Sequence, residues 1–197
     1  MKKHILKLTY LLFVVVLLVS LVGCGEEATN NVNTEAKNET SKTEDVTPAT
    51  LDEGYTLYTS ADGKLSFGYS NEWTTQDGTD GIDAFFIAPD QMTTVNLVSE
   101  TLPTDYTASE YAVAAKTQLT AELGEIDIDS EGAVQIGNIQ GYQLTYSLEM
   151  DGLNIKLYQA FFIKDKQASV FTYSSLGSNF DTYKGVVDKM IESVRVK

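Results

Sequence analysis

Histidine and cysteine are almost missing from this chain of 197 residues. His4 is its single histidine and Cys24 its single cysteine, and both lie close to the N-terminus. The rest of the chain therefore lacks the imidazole and thiol groups on which Ser-His-Asp and Cys-His catalysis depend. It also lacks the side chains that make up the usual zinc and copper sites. A single thiol excludes an internal disulfide as well.

Basic residues are also scarce. The chain has 14 lysines and arginines against 28 aspartates and glutamates, for a net charge of −14. Nucleic-acid binding requires a basic surface that neutralises phosphates, so this balance argues against it. The same balance argues against electrostatic docking on anionic lipids. An acidic surface is instead typical of a domain that stays soluble outside the cell.

The first 24 residues have the pattern of a bacterial lipoprotein signal. A basic start with three lysines precedes an apolar stretch at 8–22, and the small Gly23 comes directly before Cys24. We predict a signal peptide at residues 1–23 and a lipid anchor, diacylglycerol and palmitate, on Cys24. An uncleaved transmembrane helix is the alternative, but the apolar stretch is shorter than the ~20 residues that a spanning helix needs. Cleavage would remove three lysines and no acid, so the net charge would become −17.

Residues 24–53 are predicted to be the lipidated cysteine and a disordered tether. They are rich in Glu, Asn, Thr, Ala, Lys and Ser, and their large apolar residues Val32, Val46 and Leu51 are isolated. Such a segment buries too little apolar surface to offset the entropy lost on ordering. A tail that folds on a partner is the alternative interpretation.

Residues 54–197 are predicted to form one domain. Its clearest element is a hairpin, in which apolar and polar residues alternate from 142 to 150 and Asp151-Gly152 provides a two-residue turn. This register puts apolar side chains opposite each other on one face. The predicted pairs are Met150–Leu153, Leu148–Ile155, Tyr146–Leu157 and Tyr142–Phe161.

The domain is predicted to contain a helix near its middle and another at its end. Thr107 and Glu110 fit a capping box at the start of the first helix, and Gly124 ends it. The second helix, at about 180–192, has a single apolar stripe. The strand at 153–164 is apolar on both faces and so needs cover on both sides. We therefore predict an α+β fold, an α/β/α sandwich with a central antiparallel sheet flanked by helices on both faces.

Both ends of the domain carry a family resemblance. The opening resembles that of PsbP-like domains in residues 58–67, Tyr-Thr-Ser-Ala-Asp-Gly-Lys-Leu-Ser-Phe, and in Glu72-Trp73 shortly after. The C-terminal part resembles theirs in residues 158–163, 169–174 and 190–196. The resemblance covers essentially residues 54–197. It implies the PsbP-like fold and, because members of this family mostly bind or stabilise a protein partner, a role without catalysis. It assigns no site residue.

One acidic motif is a candidate calcium site. Asp127, Asp129 and Glu131 alternate, and Gly132 follows them. These residue types match the first half of a calcium-binding loop. Ca²⁺ takes six to eight oxygen ligands, and the glycine allows the loop to turn sharply around the ion. However, Asn138 stands where the loop should end with a bidentate glutamate. The spacing fits equally a strand with an acidic solvent face.

Three further features are candidate sites with simpler alternatives. Asp77, Asp80 and Asp83 form a second acidic group in a glycine-rich loop, where Asp is also expected for turn geometry. Trp73 and the tyrosines could line a ligand groove, or they could belong to the core. Glu72 adjoins Trp73, but adjacency in sequence says little about whether its carboxylate is buried.

The sequence thus predicts a lipoprotein of the cell membrane, anchored through Cys24 on the extracytoplasmic face of a bacterium of Gram-positive type. We expect a non-catalytic protein-binding or accessory module whose partner is a protein of the cell envelope. A lipoprotein that binds a small ligand or calcium is the alternative. A hydrolase based on two carboxylates is a third hypothesis, although no motif indicates one.

Overall fold

The computed structural model describes residues 51–79, 81–124 and 126–197. Half of these residues lie in strands and a fifth in helices. The helices are α1 (Ala108–Leu123) and α2 (Phe180–Glu192). The strands are β1 (Tyr55–Thr59), β2 (Leu65–Ser70), β3 (Thr74–Asp77), β4 (Ala84–Ile87), β5 (Thr94–Thr101), β6 (Asp127–Ile136), β7 (Ile139–Met150), β8 (Leu153–Lys164), β9 (Gln167–Leu176) and β10 (Arg195–Val196).

Seven of these strands form one antiparallel sheet in the order β3-β4-β5-β9-β8-β7-β6. The predicted β7–β8 hairpin is confirmed in its register, since Met150 pairs with Leu153 and Tyr142 with Phe161. The turn residues Asp151 and Gly152 have φ values of +51° and +77°. Positive φ at both positions is what the tightest hairpin turn requires, and it explains why Asp-Gly occurs there.

The other three strands form a small antiparallel sheet in the order β1-β2-β10. Its C-terminal strand is tied to the large sheet by Asn138, in the turn between β6 and β7. The Asn138 amide donates to the Val196 carbonyl at 3.2 Å, and its Oδ1 accepts from the Val196 backbone N–H at 3.1 Å. Gly137 lies beneath this contact, with φ +50° and no room for a Cβ beside the Val194 carbonyl.

Two apolar cores form, one on each face of the large sheet. One lies beneath α1, where Tyr111 and Leu119 contact a cluster that includes Tyr146 and Phe161 of the sheet. Its helix starts with the predicted capping box of Thr107 and Glu110, which is confirmed. The other core contains α2 side chains together with residues of the small sheet.

The predicted α/β/α sandwich is wrong. The described residues are mostly strand, and the second face of the large sheet is covered by the small sheet together with α2 rather than by a helical layer. Phe67 of β2 connects the small sheet to the large one. Its ring centroid lies 5.0 Å from that of Phe171 in β9 and 5.5 Å from that of Phe86 in β4. The alternation of β2 predicted a strand, but it carried no information on whether that strand would extend the large sheet or lie across it.

The predicted signal peptide, Cys24 and most of the predicted tether lie outside the described residues. Within the part that the structure describes, neither helix is long and apolar enough to cross a membrane.

Candidate protein-binding groove

A groove of about 180 Å³ lies between the small sheet and the edge of the large sheet. We call it the β1–β3 groove. Its lining comes from β1 (Leu57, Tyr58, Thr59), β2 (Tyr69), β3 (Thr75, Gln76, Asp77) and the start of β4 with the residue before it (Asp83, Ala84, Phe86).

Aromatic rings form the floor of the groove. The Tyr58 ring meets the Phe86 ring edge to face at 5.7 Å, and the Tyr69 ring lies 5.0 Å from Phe86. Tyr58 also packs on Phe67 at 4.9 Å, and Phe67 continues to Phe171 in the centre of the core. Because these rings are fixed by the core beneath them, the floor is rigid and needs no ordering when something binds.

Both walls of the groove are edge strands. Among the described residues, β1 pairs only with β2 and β3 only with β4, so within this part of the chain each strand has an unpaired outer side. All four residues of β3 are exposed. Thr75 pairs with Phe86, and Asp77 pairs with Ala84. Residues that pair across strands point to the same face of the sheet, so Thr75 and Asp77 lie on the face that carries Phe86 and Ala84. Leu57 on β1 is 48% exposed despite being apolar.

The groove is acidic. Asp77 and Asp83 line it, and none of its lining residues is basic. Although Asp83 is exposed as a whole, the loss of water around its carboxyl raises its pKa, and the charge of Asp62 adds to this effect. Hydrogen bonds with Ser99 act in the opposite direction. The pKa of the Tyr58 hydroxyl is also raised, first by burial and then by the charges of Asp83 and Asp62.

A second pocket, also of about 180 Å³, lies where the chain enters the domain. Here the Lys189 ammonium pairs with Asp52 at 3.2 Å and lies over the Tyr55 ring at 5.5 Å. The Ser193 hydroxyl accepts from the Gly68 backbone N–H at 2.8 Å and donates to the Met190 carbonyl. These groups hold β1, β2 and the end of α2 together, so the pocket is explained by structure and is the weaker candidate site.

The structure does not bring the three calcium candidates together. Asp127, Asp129 and Glu131 lie in β6, which is a strand and not a loop. The register shifts between Ile128 and Ser130, so Asp129 lies in a bulge. The Asp129 carboxylate pairs with Lys156 at 2.9 Å.

Glu131 instead pairs with Lys116 of α1. Lys156 lies over the ring of Phe180 in α2, so the Asp129–Lys156 pair lies on the face of the sheet that α2 covers. Lys116 belongs to α1, so the Glu131–Lys116 pair lies on the opposite face. Within the described ranges, no group of three or more His, Cys, Asp or Glu side chains could hold a metal ion.

The remaining candidates are distributed as follows. Asp77 and Asp83 both line the groove, whereas Asp80 lies outside the described residues. Trp73 is 4% exposed and packs edge to face on Tyr183 at 5.9 Å, so it belongs to the core. Glu72 is exposed beside it.

The sequence left open whether the tyrosines line a groove or belong to the core, and it did not locate the groove. Tyr58 and Tyr69 do both, because they pack at the margin of the core, where the second sheet ends. The available signal was the short, fully polar β3 segment Thr74–Asp77 directly after a buried tryptophan. A short polar strand is typical of the edge of a sheet.

Comparison with known proteins identifies the fold and a family. A comparison with curated protein sequences finds no match. The structure is similar to the cyanobacterial PsbP (CyanoP) of Synechocystis sp. PCC 6803, with a TM-score of 0.58 and 18% identity over 76% of this chain and 96% of CyanoP.

Two other solved structures are similar. LpqN of Mycobacterium tuberculosis, which is involved in cell envelope biogenesis, has a TM-score of 0.53 at 13% identity over 73% of this chain and 90% of LpqN. The Ran-binding protein Mog1p of Saccharomyces cerevisiae has a TM-score of 0.51 at 8% identity, covering 72% and 95%. At these identities the likeness establishes the fold alone, and that fold is PsbP-like.

The sequence profile of the DcrB family matches residues 74–193. This segment runs from the start of β3 to just beyond α2, so it includes the β3 wall of the groove and leaves out the β1 wall. Because the match spans more than half of the chain, the protein belongs to the DcrB family.

Proposed function

We propose that this protein is a lipid-anchored accessory module on the extracytoplasmic face of the membrane, which binds an envelope protein through the β1–β3 groove and catalyses no reaction. The basic start, the apolar stretch and Cys24 support the anchor. The groove supports the binding role. Residues 24–50 would serve as a spacer with a reach of roughly 30 Å if flexible.

The observation that carries the binding role is the pair of free strand edges above an aromatic floor. A partner that adds an extended segment to an exposed edge gains main-chain hydrogen bonds, while a side chain that enters the groove adds selectivity. Exposed edges favour unwanted association, and proteins usually shorten, charge or cover them. β3 is short and polar, yet Leu57 leaves an apolar side chain exposed on the opposite wall.

The size of the groove favours a protein partner over a cofactor. Sites for small ligands and cofactors usually have volumes of roughly 300–1,000 Å³ and enclose most of the ligand. The β1–β3 groove has about 180 Å³ and is only partly enclosed. It therefore suits one inserted side chain of a larger partner.

The solved relatives are consistent with a binding role in the envelope. LpqN is involved in cell envelope biogenesis, and Mog1p is a Ran-binding protein. These roles belong to those proteins. What they support is that a PsbP-like fold can carry a binding role.

The proposal can be tested by crosslinking in living cells. A tagged full-length protein would be crosslinked, purified and analysed by mass spectrometry, next to the variants Cys24→Ala, Thr75→Arg and, as a matched control, Thr120→Arg on the exposed side of α1. We expect one enriched envelope protein that is lost with Cys24→Ala and Thr75→Arg and kept with Thr120→Arg. Equal capture by Cys24→Ala would contradict the anchor, and equal capture by Thr75→Arg would contradict the groove.

A further inference from the structure

We propose that the β1–β3 groove selects a lysine or arginine side chain, carried by an extended segment of the partner protein. This inference rests on the proposed function and names the chemistry of its partner. It follows from the charge of the groove, from the way this protein packs its own lysines, and from the volume available.

The first step is the absence of a countercharge. Asp77 and Asp83 line the groove, and among the described residues no lysine or arginine forms a salt bridge with either. Lys64 pairs with Asp62 at 3.7 Å instead, and both side chains are largely exposed. By contrast, Asp129 of β6 is paired with Lys156 at 2.9 Å. The groove carboxylates are thus available to a cation from outside.

The second step is the aromatic floor. Cations are attracted to the face of a tyrosine or phenylalanine ring, and the attraction grows when water is excluded. This protein uses that interaction repeatedly with its own side chains. Lys184 lies 4.3 Å from the Tyr158 ring centre, Lys156 lies 5.1 Å from Phe180, and Lys189 lies 5.5 Å from Tyr55.

The groove offers the same combination without the cation. In the α2 example, Lys184 contacts Tyr158 and pairs with Asp188. In the groove, the charge of Asp83 acts on the hydroxyl of Tyr58. Among the described residues, no lysine lies over the Tyr58 ring. An incoming ammonium or guanidinium group would complete an arrangement that the protein already builds elsewhere.

The third step is the incomplete hydration of Asp83. Loss of water around its carboxyl raises its pKa, so the charged form is less stable here than in open solvent. A cation placed beside it would favour the charged form and recover part of that loss. The volume of about 180 Å³ admits one long side chain, and the free edges of β1 and β3 can pair with the backbone on either side of it.

Charge also decides against other occupants. Residues 24–50 contain six acids and two lysines, so they would be repelled from the groove. A second copy of this chain is acidic as well, with a net charge of −14. Anionic lipid headgroups would be repelled for the same reason. A cationic segment of another protein remains as the complementary occupant.

The test compares two peptides that differ only in charge. The probes are acetyl-Thr-Val-Arg-Val-Thr-amide and its citrulline analogue, which keeps the shape of arginine without the charge. Binding to the purified full-length protein would be measured by calorimetry and by NMR of the tyrosine rings. We expect the arginine peptide to bind at least about tenfold more tightly, with the shifts at Tyr58 and Tyr69 and with weakening at high salt.

Matched variants assign the effect to the groove. Asp77→Asn with Asp83→Asn should abolish the preference for arginine. Asp151→Asn with Asp165→Asn removes the same charge from two hairpin turns, where both residues have φ +51° and Asn is tolerated, so it should keep the preference. Equal binding of the two peptides, no binding of either, or loss of the preference only in the turn variant would overturn the inference.

The two proposals fail differently. Suppose that Thr75→Arg abolishes capture of an envelope protein but Asp77→Asn with Asp83→Asn does not. The groove is then an interface whose binding does not depend on its two aspartates, and only this inference fails. If the arginine peptide binds as expected but no envelope protein is captured in cells, the proposed function fails and the cation preference of the groove stands.

Discussion

The Tyr58 ring of the small sheet meets the Phe86 ring of the large sheet edge to face, at 5.7 Å between centroids and 84° between planes. This contact joins the two sheets and is also the floor of the β1–β3 groove. The floor is therefore part of the core, whereas the walls at Leu57 and Thr75 are exposed strand edges. Stability and binding should consequently respond to different substitutions.

Removing the floor should destabilise the domain. Phe86 is fully buried, and its replacement by alanine leaves a cavity where three aromatic rings meet. We expect Phe86→Ala to lower the free energy of unfolding by about 3–5 kcal/mol, measured by urea denaturation. Leu57→Ser changes an exposed wall residue and should stay within about 0.5 kcal/mol of the parent. If both variants lost a similar amount of unfolding free energy, the walls would contribute to stability as much as the floor, which would contradict this account.

The turn between β6 and β7 should not tolerate a side chain. A Cβ on Gly137 would lie 1.6 Å from the Val194 carbonyl oxygen, and the residue has φ +50°. Gly137→Ala should therefore lower the free energy of unfolding by at least about 2 kcal/mol, because both the backbone and the β10 end of the chain must shift.

The matched control for that substitution is Gly132→Ala in β6, where no atom lies within 4 Å of the added Cβ and φ is not positive. This variant should be neutral or slightly stabilising, since alanine has less freedom in the unfolded chain. The urea midpoints of the two alanine variants test the comparison directly. A mild effect at Gly137 would mean that the turn does not hold the C-terminal strand.

Ionisation of Asp83 should cost stability. Its folded-state pKa is raised, so the native state holds the proton more tightly than the unfolded state. Stability must then fall as pH rises from the ordinary aspartate value through the raised one. Asp83→Asn stays neutral and avoids this loss, so its urea midpoint should exceed that of the parent at neutral pH and match it below about pH 3.

Because Asp83 as a whole residue is exposed and its carboxyl has lost only part of its water, the difference should be small but reproducible. Asp165→Asn in the β8–β9 turn removes the same charge and controls for net charge. If Asp83→Asn is less stable than the parent at neutral pH, the hydrogen bonds with Ser99 dominate and the raised pKa is not the governing effect.

Calcium should not stabilise the domain. Asp129 and Glu131 face opposite sides of β6, and each carboxylate already pairs with a lysine. Ca²⁺ requires six to eight oxygen ligands arranged around the ion, and two carboxylates on opposite faces of a strand cannot bind the same ion. We expect no rise in melting temperature as Ca²⁺ is titrated to millimolar concentrations. A saturable rise that is lost with Asp129→Asn would restore the calcium hypothesis.

Local features of the fold were predictable, whereas the arrangement of the sheets was not. The Thr107–Glu110 capping box and the Asp151-Gly152 turn depend on contacts within a few residues, and both were predicted correctly. Phe67 packs on Phe171, which lies more than 100 positions away in the sequence. The alternation of apolar and polar residues along β2 does not indicate which distant residue Phe67 contacts. The α/β/α prediction failed at this contact.

The candidate site was predictable only in part. Asp77 and Asp83 were identified as an acidic group, but their approach to Tyr58 depends on how two sheets meet. Asp127, Asp129 and Glu131 had the right residue types for a calcium loop, and a single bulge separates two of them onto opposite faces. Spacing in sequence cannot reveal such a bulge, because it adds one residue without changing the composition of the strand.

The most direct test of a binding role for the groove is site-specific photocrosslinking in cells. A photoreactive residue at Thr75, on the β3 wall, would be compared with one at Thr120, which is exposed on α1 on the other side of the large sheet. The account predicts that Thr75 crosslinks to one envelope protein and that Thr120 does not. The same crosslinks from both positions, or none from Thr75 at equal protein levels, would contradict it.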